Sequence, residues 1–192
     1  MAKKKEKKKQ TKTNTKQIKT KEKIKAIFTG ESIYTNKKKA FTLYEKSRFG
    51  EPKDGKIYYS LYEALYLLEK SKIEIKDGKK KITFKKLFEI LKNLDKKIET
   101  KYLVFKDMRE KGYIVKTALK FGAEFRVYDK GIKPGQDHAR WILYPVKESE
   151  ILTWHDFSAK NRVAHSTRKN LLIGIVDEER DITYYEISWI KP

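Results

Sequence analysis

The chain contains no cysteine, which excludes disulfides, thiolate zinc sites and cysteine nucleophiles together. Histidine is scarce too, with three in 192 residues. No run approaches the roughly 18 to 20 apolar residues of a membrane-spanning helix, and no apolar signal core opens the chain. These absences predict a soluble, cytoplasmic protein that does not enter a membrane. There is no GxxxxGK[ST] phosphate loop, no GxGxxG after a strand, no HExxH and no nucleophile elbow, so the chemistries those motifs carry are set aside. Nor does any internal repeat recur at the period of a solenoid or propeller.

Positive charge is what the chain has in excess. Forty-seven Lys and Arg stand against twenty-six Asp and Glu, a formal net charge of +21. Such a balance draws a protein to polyanions, nucleic acid first and anionic membrane surfaces second. Twelve lysines and two glutamates fall in residues 1–25, a segment with too little apolar content to bury a core, and we expect it to be a disordered tail that tethers RNA non-specifically or is simply solvated. With 39% hydrophobic residues, twelve Tyr and nine Phe, the remainder can fill real cores.

The stretch "KAIFTGESIYTNKKKAFTLYEK" reads as short β-prone pieces broken by Gly30, Asn36 and a lysine run. In "SLYEALYLLEK", Ser60 and Glu63 form a capping box, and Leu61, Leu65 and Leu68 share one helical face. A strand and turn follow in "KIEIKDGKKKIT", then Thr83 caps "FKKLFEILKNL". Beyond Asp95 the spacing of Ile98, Tyr102, Phe105 and Met108 predicts a longer amphipathic helix running towards Gly112. From there strands dominate: "YIVKTALKF", "AEFRVYD", "RWILYPV", "NLLIGIVD" and "DITYYEISWI", interrupted by one helix capped by Thr153 and Asp156. The expected fold is α/β (α+β): a small N-terminal mixed domain over 26–100 and a C-terminal domain over 101–192 with a central mixed sheet flanked by helices.

Tyr128 and His138 stand ten positions apart across the loop holding Gly131, Pro134 and Gly135. They belong either to a hairpin with polar residues facing water or to a loop that brings a phenol and an imidazole to one substrate. RNA cleavage needs a base for the ribose 2′-OH, an acid for the leaving 5′-oxygen and a cation for the phosphorane. Histidine, with an unperturbed pKa near 6.5, suits the acid. A phenol suits the base only if neighbouring cations depress its pKa. Lys169, where the last helix hands over to a strand, is one suitable cation among many, and the residues alone do not choose it. The acidic turn of Asp177, Glu178, Glu179 and Asp181 reads as a solvated or partner-docking loop rather than a metal site. His155 and His165, at the two ends of the last helix, read as structural or surface groups.

From Ser60 to Pro192, "SLYEALYLL", "YLVFKDMREKGYIVKTALKFGAEFRVYDKG", "DHARWILYPV" and "NRVAHSTRKNLLIGIVDEERDITYYEISWIKP" agree in order and spacing with the archaeal tRNA-splicing endonuclease family, which the chain resembles. The resemblance implies a catalytic triad of Tyr128 as general base, His138 as general acid and Lys169 as transition-state cation. It implies excision of introns from precursor tRNA at bulge-helix-bulge sites, leaving 2′,3′-cyclic phosphate and 5′-hydroxyl ends, with no metal and no cofactor. Arg162 and Trp189 correspond to the pair that grips a flipped-out bulge base. Family enzymes of this length form homo- or heterotetramers, pairing C-terminal strands and inserting the acidic turn into a neighbour's basic cleft. A non-catalytic RNA-binding or assembly subunit, or a generic basic RNA-binding protein, are the competing readings.

Overall fold

The computed structural model describes residues 22–119 and 122–190. Most of the lysine-rich segment lies outside these residues. Its last part does not: Ile24 and Lys25 begin the first strand, and Ile24 is buried in the core, so the folded chain starts before residue 26. Strand β1 (Ile24–Phe28) pairs antiparallel with β2 (Ile33–Thr35) and parallel with β5 (Ile73–Asp77). With β3 (Glu51–Lys53), β4 (Lys56–Tyr59) and β6 (Lys80–Ile82) they make a six-stranded sheet in the order β3-β4-β2-β1-β5-β6. One face is apolar, carrying Ile24, Ala26, Phe28, Ile33, Ile57, Ile73 and Ile75, while Lys25, Ile27, Tyr34, Tyr58 and Lys76 alternate onto the other.

Residues Lys38–Ser47 form a helix, α1, where the sequence predicts further β pieces. Phe41, Thr42 and Tyr44 favour strands locally, and Lys37 offers no side-chain cap. Tertiary packing overrides both: Ala40 is fully buried, with Phe41, Leu43 and Tyr44 against the core. The other helices follow their signals. α2 (Leu61–Glu69) opens with the Ser60–Glu63 capping box, α3 (Phe84–Leu94) with the Thr83 cap, and α5 (Trp154–Ser166) with the Thr153–Asp156 box. α4 (Ile98–Glu110) buries Ile98, Tyr102, Phe105 and Met108 as its spacing requires.

The second sheet runs β11-β10-β9-β8-β7, with β7 (Ile114–Ala118), β8 (Ala123–Tyr128), β9 (Trp141–Lys147), β10 (Asn170–Val176) and β11 (Ile182–Ile187). Only β9 and β10 are parallel, and α5 makes the crossover between them. α4 covers one face of this sheet, with Tyr62 of α2 edge-on to Phe125 beside it; α5 covers the other, over Ile142, Tyr144, Leu171 and Ile173. Gly174 lets α4 approach, because a Cβ there would stand 3.1 Å from Val104 and from the Tyr184 ring. The mixed α/β architecture with a helix-flanked C-terminal sheet is the one the sequence predicts. No helix among the described residues is long and apolar enough to cross a membrane.

Candidate active site

The loop between β8 and β9 consists of two successive turns. Ile132 N–H donates to the Asp129 carbonyl and Gln136 N–H to the Lys133 carbonyl, both at 3.0 Å. The third residue of each is a glycine with positive φ, Gly131 at 85° and Gly135 at 92°, and Pro134 precedes Gly135 as a type II turn prefers. The chain then rejoins the sheet through Arg140, whose N–H donates to the Val127 carbonyl at 2.9 Å. This course carries exposed His138 back beside Tyr128, which ends β8.

Lys169 reaches the same place from the opposite side. α5 ends in a Schellman motif: Arg168 N–H donates to the His165 carbonyl and Lys169 N–H to the Ala164 carbonyl, each at 2.9 Å. Arg168 takes the left-handed conformation, φ 56°, where glycine is usual. The lysine backbone is thereby fixed, and its Nζ donates to the Thr167 carbonyl at 2.7 Å.

Tyr128, His138 and Lys169 therefore line one open cavity of about 380 Å³, together with Arg126, Gln136 and Asp137. Arg126 is the member that sequence reasoning missed. It looks like an ordinary outward-facing strand residue two positions before Tyr128, and only the fold brings Glu51 of β3 beside it, 3.9 Å from its guanidinium. Its Nε is buried without a hydrogen-bond partner among the described residues. Electrostatics differ from expectation at the phenol. Burial pushes Tyr128 above the usual tyrosine value, and the nearby Arg126 charge offsets this only in part. Lys169 is shifted down, first by burial and then by Arg126. Tyr128 is thus a protonated phenol in the free protein, with a cation placed to favour its ionised form.

Arg162 and Trp189 line a second, more apolar cavity of about 460 Å³ beside α5, with Phe157, Asn161 and His165. Trp189 is 57% exposed, and the His165 ring meets it edge-on with centroids 4.1 Å apart. His165 is a surface group, but one that lies against the indole; His155 is exposed in the first turn of α5. Asp177, Glu178, Glu179 and Asp181 form the β10–β11 turn, closed by Asp177 N–H on the Asp181 carbonyl and Asp181 N–H on the Asp177 carboxylate. Asp177 is half-buried and the other three acids are exposed. No group of His, Asp and Glu among the described residues is arranged to hold a metal ion.

Comparison with known proteins gives the class, RNA-cutting nucleases built from two α/β domains. The family model described as tRNA intron endonuclease, catalytic C-terminal domain, matches residues 98–184, and the model for the N-terminal domain of the same enzymes matches 24–88. A tRNA-splicing endonuclease of Thermococcus onnurineus is 43% identical over 172 residues, 89% of this chain and 99% of the relative. One from Pyrococcus abyssi is 43% identical over 169 residues, covering 88% and 97%, and one from Nanoarchaeum equitans 44% identical over 138 residues, covering 69% and 88%. The chain belongs to the tRNA intron endonuclease family.

Proposed function

We propose that this chain is a cutting subunit of a tRNA-splicing endonuclease that excises introns from precursor tRNA. The observation that carries this reading is the convergence of Tyr128, His138 and Lys169 on one open cavity. Tyr128 first gives up its own proton to solvent, with Arg126 and Lys169 in the same cavity favouring the phenolate, and the phenolate then takes the proton of the ribose 2′-OH as that oxygen attacks the adjacent phosphorus. His138 protonates the departing 5′-oxygen as the P–O5′ bond breaks, and Lys169 neutralises the charge gathering on the non-bridging oxygens. The products are a 2′,3′-cyclic phosphate and a 5′-hydroxyl; the phenolate accepts one proton, His138 gives one, and Lys169 keeps its own. Arg162 and Trp189 hold a base flipped from a bulge-helix-bulge site, with guanidinium and indole as stacking faces.

An intron has two ends and the chain one triad, so two catalytic copies act together; the family resemblance makes the assembly a homo- or heterotetramer. The edge strand β11, with exposed Tyr185 and the exposed Ile190 beyond it, offers one contact. The acidic turn has a complement in a cleft of about 330 Å³ lined by Lys46, Lys72, Arg109 and Lys133. The test is cleavage of precursor tRNA in EDTA with analysis of the product ends. Tyr128→Phe and His138→Ala should each slow cutting by roughly 10²- to 10⁴-fold. Undiminished cleavage by either variant removes that residue from its role.

A further inference from the structure

From the solvent face of the N-terminal sheet we infer a second RNA-binding surface that continues the catalytic cavity away from the scissile phosphate; the inference rests on RNA being what that cavity holds. The register places Tyr58, Tyr34, Ile27 and Lys76 as successive neighbours across β4, β2, β1 and β5. Glu51 pairs with Tyr58 at one end of this row, and Glu51 is the residue beside Arg126 of the catalytic cavity. The row is therefore a path that starts at the active site and crosses four strand spacings, about 19 Å.

Its chemistry is that of a nucleic-acid platform. The Tyr34 and Tyr58 rings lie 5.4 Å apart and tilted by 37°, and Lys56 Nζ sits 4.6 Å from the Tyr34 ring centroid. Beyond them opens a cavity of about 370 Å³ whose lining includes Lys25, Lys37, Lys56 and Lys76 and no carboxylate. Ile27, 49% exposed on its floor, gives an apolar surface between the lysines. Aromatic faces bind bases whatever their sequence, and a groove of lysines follows the phosphates. An acidic protein partner would meet the same charges, but the paired tyrosines and the continuity with the cleavage cavity favour a segment of the RNA being cut.

The test compares full-length wild type with Lys56→Glu/Lys76→Glu and, separately, Tyr34→Ala/Tyr58→Ala. Affinity for precursor tRNA is measured by filter binding across a salt series, and mass in solution by light scattering. The charge-reversal variant should bind about tenfold more weakly at physiological salt, with a log-affinity against log-salt slope shallower by about two. The tyrosine variant should bind more weakly with its slope kept. Unchanged affinity and slope in the charge-reversal variant overturn the inference, as does unchanged RNA affinity with a smaller assembly, which would make the face a protein contact. Binding is read directly, so a wild type that binds RNA through this face but cuts nothing sinks the catalytic reading and leaves the surface standing.

Discussion

Lys116 Nζ lies 2.8 Å from a carboxylate oxygen of Glu63, and both side chains are buried. Lys116 belongs to β7 in the C-terminal sheet and Glu63 to the first turn of α2, so the pair joins the two halves of the molecule. Both groups have further partners: Glu63 accepts from the Gly50 and Ser60 N–H groups, and Lys116 donates to the Gly50 carbonyl at 2.7 Å. Gly50 itself is held at φ 78°, where a Cβ would stand 2.3 Å from Ile57.

Removing one partner strands the other charge in the interior. Lys116→Met should therefore destabilise the protein by about 3–5 kcal/mol, read as a lower urea midpoint. Glu63→Gln added to it should recover part of the loss, because the stranded charge is then gone while the cap survives. A Lys116→Met protein of wild-type stability would show that the pair contributes nothing.

The Arg126 charge works against the upward push of burial on the Tyr128 phenol. Arg126→Gln should raise the Tyr128 pKa further, let that of Lys169 rise, and slow single-turnover cleavage by about 10²-fold with RNA affinity changed much less. Equal losses in affinity and rate would instead make Arg126 a plain phosphate contact.

The pattern of these residues explains what the sequence could announce. Helices α2, α3 and α5 carry their own caps, and Gly131 and Pro134–Gly135 announce turns, but the residues alone left open whether those turns bring His138 to Tyr128 or leave both facing water. α1 was not legible, because β-prone residues form it under tertiary packing. Arg126 and the Lys116–Glu63 pair were not, since partners 53 or more positions apart leave no local trace. Lys169 was legible as a lysine at a helix end, but the motif that fixes it depends on an arginine in a left-handed conformation.

That conformation is strained for any residue with a Cβ, by roughly 1–2 kcal/mol. Arg168→Gly should raise the stability of the protein by about 1 kcal/mol, measured by thermal unfolding, because glycine suits this position of the motif. If cleavage slows as stability rises, Arg168 also serves the RNA. If stability falls, the left-handed turn is not where strain lies.

Two carboxylates bind α4 to its neighbours and set an acid limit. Burial raises Glu69, but hydrogen bonds from Lys106 and Tyr102 outweigh it, and the net shift is down from 4.5. Asp95 behaves alike, with Lys101 and the Lys97 N–H outweighing its burial. A depressed folded-state pKa gives stability that is present above the unfolded value and lost as pH falls through the folded one. Stability should hold above about pH 5 and decline below pH 4, and Glu69→Gln should flatten that decline while lowering stability at pH 7. An unchanged acid limb in Glu69→Gln would place the acid sensitivity elsewhere.

Trp189 offers the sharpest separation of binding from chemistry. Its indole is exposed on one side and held by His165 on the other, and Arg162 lines the same cavity, so a base entering there meets a ring already fixed in place. Stacking of this kind is worth about 1–3 kcal/mol per base, so Trp189→Ala should weaken precursor binding by roughly 5- to 150-fold. Trp189→Phe should recover part of that loss, and His165→Ala, which frees the indole to move, should show a smaller defect than Trp189→Ala. Cleavage of RNA bound at saturation should change less than affinity in all three, since none of these residues touches the cavity of Tyr128. An assembly that falls apart in Trp189→Ala, with RNA affinity per chain intact, would reassign the tryptophan to a subunit contact.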